Sequence, residues 1–154
     1  MSAADRLLSL VEAEHAAVYA YGVLGARLDD TRRRAALLAY DSHRARRDQV
    51  AAALRTAGGT PAAPLAAYDV TVANATEALT LAVHVEEGLA LRWRDLVGEA
   101  SDVALRQLGI AGLQECAVRA AQWRRLAGIT PATVAFPGTD PAPAPRPSLT
   151  ATPS

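Results

Sequence analysis

Val11-Glu12-Ala13-Glu14-His15-Ala16-Ala17-Val18-Tyr19-Ala20-Tyr21 reads as the middle of a long helix. Counted in heptads from Leu7, the inward positions are Leu7, Leu10, Val11, Glu14, Ala17, Val18, Tyr21, Leu24, Gly25 and Leu28. Every one except Glu14 is apolar or glycine. Apolar residues at steps of three and four line one helix face, and a face this wide packs against a core. Glu12 and Tyr19 fall on the opposite side. Upstream, Ser2 and Asp5 have the spacing of a capping box, with Ser2 as the N-cap. One carboxylate therefore stands alone in an apolar seam.

Outward from this helix the chain falls into three more. Asp29-Asp30-Thr31 supplies a turn and an N-cap. The second helix is expected from Thr31 to Ala57, with Ala36, Tyr40, His43, Arg47, Val50 and Leu54 inward. Gly58-Gly59 ends it, and Pro61 and Pro64 prevent its continuation. Gly58 to Asp69 has no helical period. Extended at ~3.3 Å per residue, this stretch reaches about 40 Å. The second helix is about as long at ~1.5 Å per residue, so the stretch can cross the full length of a bundle.

The third helix is expected from Val70 or Thr71 to Val97, with Gly98 ending it. Its inward positions are Val72, Ala75, Thr76, Leu79, Ala82, Val83, Glu86, Leu89, Ala90, Trp93, Leu96 and Val97. Apart from Thr76, the only polar intruder is Glu86. Ser101 and Asp102 cap a fourth helix running to Leu126. Its inward face is Leu105, Leu108, Ala111, Gly112, Glu115, Val118, Gln122 and Leu126, or, rotated by one residue, a face with Cys116 and Trp123 inward. Gly128 and Pro131 stop it. Residues 1–128 thus read as an all-α four-helix bundle with one long crossover. Residues 129–154 are rich in proline and alanine and read as a disordered tail.

Composition narrows the setting. The 154 residues are half apolar, and all sixteen basic residues are arginine. The length suits one domain. A formal net charge of zero excludes a general nucleic-acid footprint. A single cysteine, Cys116, excludes an intrachain disulfide framework and fits a reducing compartment. There is no basic leader followed by an apolar run, and no stretch able to span a bilayer. A cytoplasmic protein with neither nucleic acid nor membrane as partner is expected. Leu8, Leu81 and Leu91 lie outside the inward stripes and offer an apolar strip for a homodimer or another protein partner.

Depth relates the polar intruders to one another. Glu14 lies fifteen residues before Asp29, and His43 fourteen after it. Glu86 lies fourteen residues before Ala100, and Glu115 fifteen after it. In antiparallel hairpins, equal offsets from the turn mean equal height. All four should meet in mid-bundle, given helix spacings of ~8–10 Å. The di-iron and di-manganese carboxylate pattern takes one Glu from each of two helices and a Glu-x-x-His from each of the others. Here the single glutamates are Glu14 and Glu86. The second helix offers Tyr40-x-x-His43, and the fourth Glu115-x-x-Val118.

The chain resembles a ferritin-like protein, and more narrowly a bacterial ferritin-like family of unknown function. The resemblance rests on Ala13-Glu14-His15-Ala16-Ala17-Val18-Tyr19-Ala20-Tyr21-Gly22, on His43-Arg44-Ala45-Arg46-Arg47-Asp48, on Gly58-Gly59-Thr60-Pro61 with Ala67-Tyr68, and on Glu86 near Trp93-Arg94. It covers about residues 5 to 127 and implies an up-down-down-up bundle. It implies no activity. Four of six ligand positions match, with tyrosine and valine at the other two.

Two readings of the polar layer follow. In one, His43, Glu14, Glu86 and Glu115 hold one iron, manganese or zinc ion, with Tyr40 as a ligand or as a hydrogen-bond donor to one. Redox chemistry with dioxygen or peroxide would be the reaction class. In the other, no metal binds, and Arg47 or Arg119 neutralises the carboxylates in a buried ion-pair network. The protein is then a non-enzymatic helical interaction module. No residue is assigned a catalytic role. His84, Glu12 and Glu87 read as surface groups, Tyr19, Tyr21, Trp93 and Trp123 as packing aromatics, and Cys116 as a small buried hydrophobe.

Overall fold

The computed structural model describes residues 1–139. Its four helices are α1 (Ala3–Gly25), α2 (Asp30–Thr56), α3 (Ala75–Glu99) and α4 (Val103–Leu126). Each starts on a residue whose side chain accepts from the backbone N–H three positions on: Ser2, Asp29, Asn74 and Asp102. Such caps satisfy a helix donor that has no partner inside the helix. The Ser2–Asp5 capping box is complete. α1 packs on α2 and α3, and α3 packs on α4. The result is an all-α, ferritin-like bundle running up-down-down-up, with the crossover between α2 and α3. α2 and α4 barely touch.

The third helix starts later than the sequence pattern suggests. Asn74 caps Glu77, and the Glu77 carboxylate in turn accepts from the Ala73 backbone. That closed cap, together with the low helix propensity of Val70, Thr71 and Val72, leaves these residues in the crossover. Val72 is still buried, and its carbonyl accepts from Arg27 at 3.0 Å. The crossover is also tied to α1. His15 and the Ala62 carbonyl are 3.2 Å apart, and the Tyr19 and Tyr68 rings stand 5.3 Å apart.

α4 takes the rotated register. Its buried residues are Gly109, Gly112, Cys116, Ala120 and Trp123, whereas Val118 is 58% exposed. The large apolar residues marked one face, but the bundle chose the face of small ones. The reason is Trp93, which is fully buried on α3. A Cβ on Gly112 would lie 2.3 Å from the indole ring, so only glycine admits the ring here.

Two further expectations need correction. Leu81 is only 4% exposed and belongs to the core, so Leu8, Leu81 and Leu91 form no exposed strip. Residues 129–139, expected within the disordered tail, fold back over the bundle. Ile129 packs against the core, Arg124 donates to the Pro131 carbonyl, and Arg94 to that of Gly138. The rest of that expected tail, residues 140–154, lies outside the described residues. Among the described residues, no helix is long and apolar enough to cross a membrane.

Candidate functional site

Three of the four residues at equal depth converge. Glu14 from α1, His43 from α2 and Glu86 from α3 are all completely buried. His43 Nδ1 is 2.8 Å from Glu14 Oε2, and its Nε2 is 3.1 Å from Glu86 Oε1. The imidazole bridges two carboxylates. Burial opposes charge on His43, but the two carboxylates outweigh it and lift its pKa to about 9.

The carboxylates respond in opposite directions. Burial pushes Glu14 up, against the hydrogen bond and charge of His43. Burial also works to raise Glu86, but His43 and the Arg119 guanidinium together hold it below its ordinary value. Arg119 Nε donates to Glu86 Oε1 at 3.0 Å, and its Nη1 donates to Ser42 Oγ at 3.1 Å. Tyr21 donates to the same Glu86 oxygen at 2.6 Å, and its ring stacks on His43 at 5.1 Å. Burial and the neighbouring carboxylate raise the Tyr21 pKa, which keeps the phenol a donor. Glu86 Oε1 thus faces three donors, while Glu86 Oε2 and Glu14 Oε1 are buried without a partner.

Glu115 does not join this group. Its side chain is 41% exposed and pairs with Arg46 of α2, with Arg46 Nε donating at 3.0 Å. Arg119 Nη1 lies 3.9 Å from it. The rotated register of α4 turns Cys116 inward where Glu115 was expected. The Cys116 thiol is buried beside Arg119, and burial together with Glu86 raises its pKa, so it stays a neutral thiol. Tyr40 is half-buried and lines a cleft with His15, Tyr19 and Arg47, away from Glu14 and Glu86. Arg47, expected to neutralise a carboxylate, pairs with its neighbour Asp48. Glu87 and His84 are half-buried rather than surface groups, and Glu87 pairs with Arg124.

Tyr21, Arg46 and Ser42 are the participants that pattern alone did not single out. Tyr21 had a signal, since it lies seven residues after Glu14, two turns on along the same seam. Arg46 lies one turn from His43, on the side of α2 that meets α4. Ser42 had none.

The sequence matches the family described as a domain of unknown function, DUF4439, over residues 7–141. The chain belongs to that family. Among solved structures, this DUF4439 chain is similar to a conserved hypothetical protein, rv2844, of Mycobacterium tuberculosis. The identity is 34% over 88% of this chain and 97% of that one, with a TM-score of 0.78. It also resembles a point mutant of Dps from Listeria innocua, at 14% identity over 85% and 99% of the two chains, with a TM-score of 0.76. The latter likeness concerns the fold alone. No curated protein matches the DUF4439 sequence. Among the described residues, no group of three or more His, Cys, Asp or Glu side chains is arranged to hold a metal ion.

Proposed function

We propose that this bundle keeps the ferritin-like frame but fills its centre with an internal ion-pair network, and that it acts as a non-enzymatic helical binding module. The observation that carries this reading is charge balance. With His43 protonated, two cations, His43 and Arg119, face two anions, Glu14 and Glu86. If the proton sits instead on Glu14, neutral His43 still donates to Glu86, and Glu86 still faces Arg119. The net charge is zero in both cases. A divalent ion would have to take one imidazole nitrogen from its carboxylate and push a guanidinium away from Glu86. Self-association would use α2, where Leu37 and Leu38 are exposed.

A second reading rests on the two unpartnered oxygens, Glu14 Oε1 and Glu86 Oε2. Buried carboxylate oxygens ordinarily find a partner. One iron, manganese or zinc ion on Glu14, His43 and Glu86 would supply it. Glu115 and Tyr40 do not reach this point and would not be ligands.

Metal analysis of protein purified without chelator separates the two. The network reading expects iron, manganese and zinc far below one per chain and no change in melting temperature when they are added. One bound ion per chain, lost in Glu14→Gln, overturns it.

A further inference from the structure

We propose that residues 129–138 close a binding site for a small, uncharged aliphatic molecule on the outer face of α3 and α4. The inference goes beyond the proposed function and uses different residues.

The segment leaves α4 and runs back as a strap held near both ends. At one end the Arg124 guanidinium donates to the Pro131 carbonyl at 3.2 Å. At the other, Arg94 donates to the Gly138 carbonyl. Gly138 passes so close to α3 that a Cβ there would meet the Ala90 carbonyl at 2.9 Å. Between these ties the strap stands off the helices and walls one side of a partly open cavity of about 420 Å³. That lies within the ~300–1,000 Å³ common for small-molecule sites.

The lining gives the ligand class. Val83, Leu91, Val118, Ile129 and Val134 supply most of the apolar wall, with alanines between them. The described lining residues include no Phe, Tyr or Trp, and the His84 imidazole is the one aromatic ring among them, so little there favours stacking of a flat ring. Val118, an exposed valine on a helix whose buried face is elsewhere, is accounted for as part of this wall. Glu87 and Arg124 reach the cavity and face each other, with Arg124 Nε donating to Glu87 at 2.6 Å, and the titratable His84 also lines it. A carboxylate or phosphate would be repelled by Glu87 before it could use Arg124. The Thr133 hydroxyl can accept from or donate to an alcohol or amide, and the Thr80 hydroxyl, which donates to the Thr76 carbonyl at 3.0 Å, can still accept, without disturbing that pair. An aliphatic alcohol or a neutral acyl amide therefore fits, and a fatty-acid anion does not.

The test titrates the full chain with 1-decanol and with decanoate, followed by methyl NMR and calorimetry. Decanol is expected to saturate one site and to move the methyl signals of Val83, Val118, Ile129 and Val134. Decanoate is expected to bind at least tenfold more weakly. Ala121→Phe, which fills the cavity, should abolish decanol binding. Should that variant not fold, Arg94→Ala, which frees one end of the strap, should weaken decanol at least fivefold with the helical circular dichroism retained. Glu87→Gln should bring decanoate to the affinity of decanol. Absence of saturable decanol binding, equal binding of decanoate by the unmodified chain, or a Glu87→Gln chain that still rejects decanoate overturns the proposal. None of these outcomes bears on the metal content of the buried network.

Discussion

His43 is the residue on which the centre of the bundle depends, and its protonation gives the first prediction. Its pKa rises from an ordinary 6.5 to about 9 on folding. The folded state therefore holds this proton more tightly than the unfolded chain does. The stabilisation is complete below pH 6.5 and is lost as pH rises through about 9. At ~1.4 kcal/mol per unit, the contribution is about 3 kcal/mol. Urea midpoints between pH 6 and pH 10 should fall along the alkaline limb, and His43→Gln should flatten that fall. An unchanged slope in the variant would assign the proton elsewhere. Arg119 gives the second prediction. Removing one partner of a buried pair leaves a stranded charge and costs about 3–5 kcal/mol. Arg119→Met should therefore destabilise strongly, whereas Arg46→Met should cost less, because Arg46 is itself 11% exposed but the Glu115 it leaves behind is 41% exposed and can return to water. Similar losses for the two in denaturant titrations would contradict the burial argument. Glu14, His43 and Glu86 were legible because each is a polar residue in an apolar stripe at equal distance from a turn. For Tyr21 only the position was legible, two turns from Glu14 on the same seam; its role was not, because a tyrosine in such a stripe looks the same whether its hydroxyl has a partner or not.

At the scale of elements, α4 shows what hydropathy cannot see. Its buried face is Gly109, Gly112, Cys116, Ala120 and Trp123. Small residues carry almost no hydropathy signal, so Val118 and Leu126, both exposed, pointed to the wrong face and took Glu115 inward with them, whereas Leu105 and Leu108 do pack half-buried against the core. The pattern lacked the shape of the partner, Trp93. Two glycines test this directly. Gly112→Ala sets a methyl against the indole and should cost about 1–3 kcal/mol or more through overpacking. Gly22, exposed in α1 with nothing near its missing Cβ, should gain about 1 kcal/mol on replacement by alanine. Opposite signs in thermal melts are the expected result. Helix ends were easier to read. Ser2, Asp29 and Asp102 cap through short polar side chains that the sequence displays, and only the Asn74 start was displaced by an upstream run of β-branched residues.

For the molecule as a whole, four amphipathic stretches, one stretch too long for a tight turn and a mid-chain polar layer were enough to specify a ferritin-like bundle. They were not enough to specify its occupant, because a metal and an arginine balance the same carboxylates. Which of them does so depends on a rotation of α4 by one residue. The sparse contact between α2 and α4 has a consequence for motion. Where the other neighbouring helices are sealed by apolar packing, this side is bridged by Arg46 to Glu115 and Arg119 to Ser42. Charged and hydroxyl bridges lose little on meeting water, so the molecule should breathe here first. Amide hydrogen exchange should be fastest along the facing turns around Ser42–Arg46 and Glu115–Arg119, and salt should quicken it there while sparing the α1–α3 contact. Uniform protection of all four helices would contradict this. Opening on this side would let protons from bulk solvent reach the buried His43 without the bundle coming apart, so the network would follow the pH outside.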